Sequence, residues 1–139
     1  MGAWGYEPMD DDCAFEWLAN EIEAPLLGTI KRTLQAYLDQ PEKDDVNTIE
    51  AEAAAALLID LAGGYAKMRY IDLDCGWLVK EEHWLAREGD LLALATTVIN
   101  RIMQDEPWIN NYNEPQEKIS VLKRLLADLQ HSQERNRKS

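Results

Sequence analysis

The chain has 139 residues, the length of a single domain, and 46% of them are hydrophobic, which is enough to form one buried core. Acidic residues outnumber basic ones by 26 to 14, and the net charge of −12 argues against direct nucleic-acid binding, because phosphate contacts need a basic face. The absence of a disulfide framework, a leader pattern and an apolar run of membrane-spanning length predicts a cytoplasmic protein without membrane association.

Two helices are predicted near the amino end. The aspartates at positions 10–12 can cap the free amides of a first helix. Its apolar side is Phe15, Trp17, Leu18 and Ile22. After Pro25, apolar residues recur every four positions and predict an amphipathic second helix. These residues are Leu26, Ile30, Leu34 and Leu38, with Tyr37 beside them.

An alanine-rich segment over residues 51–62 forms the middle of the chain. Asn47 with Glu50 resembles a capping pair at its start, and the Gly63–Gly64 pair ends it. The segment is apolar on every side between Ala53 and Ile59. A helix of that kind is normally surrounded by other helices, so we expect it to be the central one.

Two further helices are predicted in the carboxyl-terminal half. One begins near Gly89 and is followed by a loop over residues 107–113, and the last spans Ile119 to Leu129. Residues 65–87 follow no helical period, and a short strand pair is an alternative there. The sequence thus predicts an all-α bundle of about five helices around the alanine-rich one, with a single domain over residues 1–130 and a frayed polar tail over 131–139.

Catalytic and metal-binding patterns are incomplete. The only histidines are His83 and His131, and neither has the Glu-x-x-His spacing of a di-iron bundle. The segment from Asp72 to Gly76 resembles a calcium loop, but its glycine comes one place early and His83 stands where a glutamate is needed. Carboxylate pairs such as Glu50 with Glu52 are expected by chance in so acidic a chain. We therefore predict that the protein binds no metal and no cofactor. No motif in the sequence supports enzymatic activity.

The acidic residues are concentrated in residues 7–23 and 39–60. These blocks are either a solvated surface or a docking surface for a basic protein. Trp84 and Trp108, in or beside loop-like segments, either pack in the core or anchor an interface. The candidate partner-binding residues are Asp10, Asp11, Asp12, Glu42, Asp44, Asp45, Trp84 and Trp108.

These features lead to two functional hypotheses. The first is a small inhibitor or immunity-type protein that neutralises a basic partner such as a toxin or a nuclease, because a negative face can occlude a basic active site. The alternative is a binder of a small ligand or metal, or an enzyme, with a pocket around four residues. These are Asp72, Asp74, Trp77 and His83.

The amino end carries a recognisable motif. It consists of Gly2, Ala3, Trp4 and Gly5, followed by Asp11, Asp12, Ala14, Trp17 and Leu18. This opening resembles that of a bacterial family catalogued as domain of unknown function 4259, and the sequence departs from the family pattern at residues 7–9. The resemblance implies kinship and a helical layout, with Gly2, Trp4, Gly5, Asp11, Asp12 and Trp17 in a structural role. It implies no activity, because none is established for the family.

Overall fold

The computed structural model describes residues 26–40, 44–62 and 89–138, together with the helical position Cys13, which packs half-buried against the core. The described residues form helices and no strand. The helices are α1 (Leu26–Asp39), α2 (Asp45–Ala62), α3 (Gly89–Met103), α4 (Glu106–Ile109) and α5 (Pro115–Lys138). The predicted all-α class is confirmed.

The alanine-rich helix α2 lies at the centre, as predicted. Residues 51–58 are almost completely buried, and α2 contacts α1, α3 and α5. Because most of these side chains are single methyl groups, neighbouring helices approach the α2 backbone closely on several sides.

The apolar stripes of the other long helices face α2 and one another. Ile30, Leu34 and Tyr37 on α1 are fully buried or nearly so. On α3 and α5 the buried positions follow the predicted helical spacing. They are Leu91, Leu92, Ala95, Val98, Ile99 and Ile102 on α3, and Leu122, Leu125 and Leu129 on α5.

The helices alternate in direction. Lys31 of α1 and Leu94 of α3 line one groove, and the ionisation of Tyr37 further along α1 is influenced by Arg101 and Asp105 at the end of α3. Helices α1 and α3 therefore run the same way. Glu52, two turns into α2, contacts Lys118 in the first turn of α5, so these helices start at the end where α1 and α3 finish.

Helix boundaries differ from the sequence-based prediction at two places. Helix α2 is capped by Asp44, whose carboxylate accepts from the backbone N–H of Asn47 at 2.7 Å, so it starts before the predicted Asn47 cap. Residues 107–109 of the predicted loop belong to the short helix α4 (Glu106–Ile109). Helix α5 extends to Lys138, since no proline or glycine interrupts it after Pro115, and Ser132 is still buried; the fraying of residues 131–139 stays a prediction.

Several predictions lie outside the described residues. They concern the first predicted helix, the amino-terminal motif, and residues 65–87 with their alternative strand pair.

Candidate functional site

The helices on either side of two connections have their ends at one end of the bundle. The α1–α2 connection joins Asp39 to Asp45, and residues 104–114 join α3 to α5. Since α1 and α3 finish at this end and α2 and α5 begin there, segments far apart in sequence become neighbours. We call this region the acidic end.

The acidic end takes its name from the side chains of the described residues that line it. They are Asp39, Asp44, Asp45, Asp105, Glu106, Glu114 and Glu117, all exposed except the half-buried Asp105. Arg101 is the exposed basic residue among the described residues of this end. Most of these acids lie at the starts of α2, α4 and α5, where the helix dipole and unpaired backbone N–H groups favour a negative charge. Acidic residues favour helix starts, and the helix directions bring these starts to the same end of the bundle. Negative charge is therefore concentrated at this end.

A buried ion pair lies beneath the acidic end. The Nζ of Lys118 lies 2.5 Å from Oε1 of Glu52, and the two residues are only 1% and 2% exposed. Such a pair needs close geometry and further hydrogen bonds to offset the loss of hydration. The contact joins α2 to α5 across the interior.

Two aromatic residues of the 104–114 connection complete the arrangement around this pair. The indole Nε1–H of Trp108 donates to Oε2 of Glu52 at 3.1 Å, so the carboxylate uses both oxygens. The Tyr112 ring lies with its centroid 4.9 Å from the Lys118 ammonium and meets Trp108 edge to face at 5.7 Å. Cation–π attraction and the edge contact thus add to the hydrogen bond.

Tyr37 of α1 lies near the same charges. Burial raises the pKa of its phenol to about 12, and the negative charges of Asp105 and Glu52 act in the same direction, against Arg101. The phenol therefore remains protonated at neutral pH and contributes no charge to the site.

The structure describes three of the predicted partner-binding residues. Asp44 and Asp45 are exposed at the acidic end, and Asp44 also caps α2. Trp108 is 7% exposed and packs in the core, the first of the two alternatives stated for it. The remaining candidates, Asp10, Asp11, Asp12, Glu42 and Trp84, lie outside the described residues, as do Asp72, Asp74, Trp77 and His83 of the alternative pocket.

The Glu52–Lys118 pair was missed by sequence reasoning, although both residues carry a signal. Glu52 is the lone charge within residues 51–59, which are otherwise apolar, so burial there demands a partner. Lys118 precedes Leu122, Leu125 and Leu129 by four, seven and eleven residues and therefore lies on the inner stripe of α5. A buried cation and a buried anion on separate helices are natural partners.

Two other features of the described residues bear on ligand binding. Within ranges 26–40, 44–62 and 89–138, no group of three or more His, Cys, Asp or Glu side chains could hold a metal ion. A groove of about 400 Å³ lies between α1 and α3, where Lys31 and Asp90 accompany the apolar Leu91 and Leu94.

None of the helices in these ranges is long and apolar enough to cross a membrane.

Fold and site together define an all-α protein with an acidic end above a buried Glu–Lys pair. The chain belongs to the family described as Domain of unknown function (DUF4259), whose model matches residues 2–120. This range includes the amino-terminal motif on which the resemblance rested, as well as Glu52, Trp108 and Lys118. No curated protein and no solved structure matches the chain.

Proposed function

We propose that this protein is a small cytoplasmic inhibitor or immunity-type protein that binds a basic protein, such as a toxin or a nuclease, through its acidic end. The observation that carries the proposal is that the acidic ends of α1 and α2 and the acidic residues 105–117 lie at one end of the bundle. Exposed carboxylates from separate segments lie at this end, with Arg101 as the exposed cation among the described residues there.

Charge complementarity is the physical basis of the proposal. A concentrated negative surface attracts a positive one over about the Debye length, roughly 8 Å at physiological ionic strength, and repels nucleic acid and other acidic proteins. An inhibitor that covers a basic active site needs this surface and needs no catalytic group of its own. The proposed partner is accordingly a protein with a basic face, and not nucleic acid or a membrane.

The test compares two variants of equal net charge. The first neutralises the acidic end with Asp44→Asn, Asp45→Asn, Glu106→Gln and Glu114→Gln. Asparagine caps a helix about as well as aspartate, so α2 should keep its start. The second carries Asp90→Lys, Ala93→Lys and Gln130→Lys at exposed positions away from the acidic end. Each raises the net charge of −12 by four.

The wild-type protein and both variants serve as baits in a bacterial lysate, and bound proteins are identified by mass spectrometry. A basic partner should bind the wild type and the second variant, and bind the first variant roughly ten-fold or more weakly. A partner that loses the same affinity for both variants responds to net charge alone. A partner that binds all three equally contradicts the proposal.

A further inference from the structure

The 104–114 connection carries part of the acidic end, and its fixed shape needs a cause. Glu106 and Glu114 are exposed on it, whereas Trp108 and Ile109 are buried beneath. A connection of this length is usually more mobile than the helices that it joins. Specific contacts must therefore fix its position.

Two kinds of contact are available within the described residues. The local kind is the Asp105 cap, which accepts from the backbone N–H of Trp108 at 3.2 Å and organises the single turn of α4. The second kind reaches outside the connection to Glu52 and Lys118, which belong to α2 and α5. The cap shapes the turn, whereas contacts of the second kind, together with the burial of Ile109 in the core, tie that turn to the bundle.

The chemistry of the buried pair suits this role better than a role in overall stability. Buried ion pairs seldom stabilise a fold more than hydrophobic residues of the same volume, because both charges lose their hydration. They do impose a single geometry, since each hydrogen-bonding atom has one place where it is satisfied. Here Glu52 accepts from both Lys118 and Trp108, so the pair and the connection share one carboxylate.

We propose that the Glu52–Lys118 pair is a positioning device that holds the 104–114 connection on the bundle through Trp108 and Tyr112, and that removing the pair releases this connection while the helices stay packed. The consequence for partner binding rests on the function proposed above, because Glu106 and Glu114 would lose their fixed place. The release itself is a property of the isolated protein and is tested without a partner.

The main variant is Glu52→Leu with Lys118→Met, which removes both charges together and leaves neither one buried alone. Its matched control is Asp90→Asn with Lys123→Met, which likewise removes one negative and one positive charge, at exposed positions outside the acidic end. A second variant, Trp108→Phe, keeps the buried pair and an aromatic ring and removes the N–H donor together with part of the ring volume. It remains informative if the double replacement fails to fold.

Amide hydrogen exchange provides the first measurement, read at residues 109–112. Their backbone N–H groups bond within the connection, to Asp105, Glu106, Trp108 and Ile109. We expect exchange there to accelerate about ten-fold or more in the double variant and several-fold in Trp108→Phe. Exchange in α1 and α3 should stay within about two-fold, as should every site in the control.

The indole N–H resonance of Trp108 provides the second measurement. Its hydrogen bond to a carboxylate should shift the proton downfield in wild type and in the control, and this shift should be lost in the double variant. Unchanged exchange at residues 109–112 in both variants would overturn the proposal, because the cap and Ile109 would then suffice. Equal acceleration in all helices would also overturn it, because the pair would then stabilise the whole bundle.

Discussion

The phenol of Tyr37 links a single buried residue to the pH dependence of folding. Its pKa rises from 10.0 to about 12, chiefly because of burial and then because of the nearby carboxylate of Asp105. An unfolded chain loses this proton at lower pH than the folded one. The contribution to stability is therefore complete below pH 10 and is lost as the pH rises through about 12.

We predict that Tyr37→Phe flattens this alkaline loss of stability. The wild-type free energy of unfolding should fall more steeply than that of the variant above pH 10, by at most about 1.4 kcal/mol per pH unit. Urea unfolding at a series of pH values measures the difference. Equal slopes for wild type and Tyr37→Phe would contradict the assignment.

A second residue-scale prediction concerns Glu52. We expect Glu52→Ala to lower the free energy of unfolding by about 3–5 kcal/mol, because the Lys118 ammonium stays buried without its carboxylate. The double replacement Glu52→Leu with Lys118→Met should recover most of this loss. Urea unfolding of Glu52→Leu, Lys118→Met and the double variant gives the coupling energy, and strictly additive effects would show that the residues do not act as a pair.

At the scale of elements, the central position of α2 depends on its small side chains. We predict that Ala54→Leu, at a position with no exposed surface, lowers the free energy of unfolding by about 1–3 kcal/mol, because added volume forces the neighbouring helices apart. Ala127→Leu, at an exposed position of α5, is the matched control and should change stability by less than about 0.5 kcal/mol. Thermal unfolding monitored by circular dichroism compares the two, and equal losses would contradict tight packing around α2.

The long helices could be predicted because their apolar periods are regular, whereas their ends could not. Asn47 and Asp44 are both good capping residues three positions apart, and only the observed hydrogen bond shows that Asp44 caps α2. Helix α4 was not predicted, because a helix of four residues is too short to show a periodic pattern of apolar residues. Its start depends on the Asp105 cap and on Pro107, residues that are equally common in turns.

At the scale of the whole molecule, charge in the described residues is unevenly placed. The acidic end holds most of the exposed carboxylates, while Asp90 and the basic residues Lys31, Arg32, Lys123 and Arg124 lie further along the helices. The sequence predicted an acidic surface from the 39–60 block, but it could not show that residues 105–117 join it. That neighbourhood follows from helix direction, which tertiary packing decides.

We predict that this uneven placement is detectable by anion-exchange chromatography. The two charge variants described for partner capture have equal net charge, so a uniform distribution would make them elute at the same salt concentration. The variant neutralised at the acidic end should elute earlier, because it has lost the surface that binds the resin first. Elution of both variants together would contradict a concentrated acidic end.

The acidic end also has a kinetic consequence. Carboxylates at one end and cations further along give the described bundle an electric dipole along its axis, which exerts a torque in the field of a cationic body. The torque would orient the acidic end toward such a body before contact. Their association rate would therefore exceed that of randomly oriented collisions. Added salt would slow this encounter and leave the lifetime of the complex nearly unchanged.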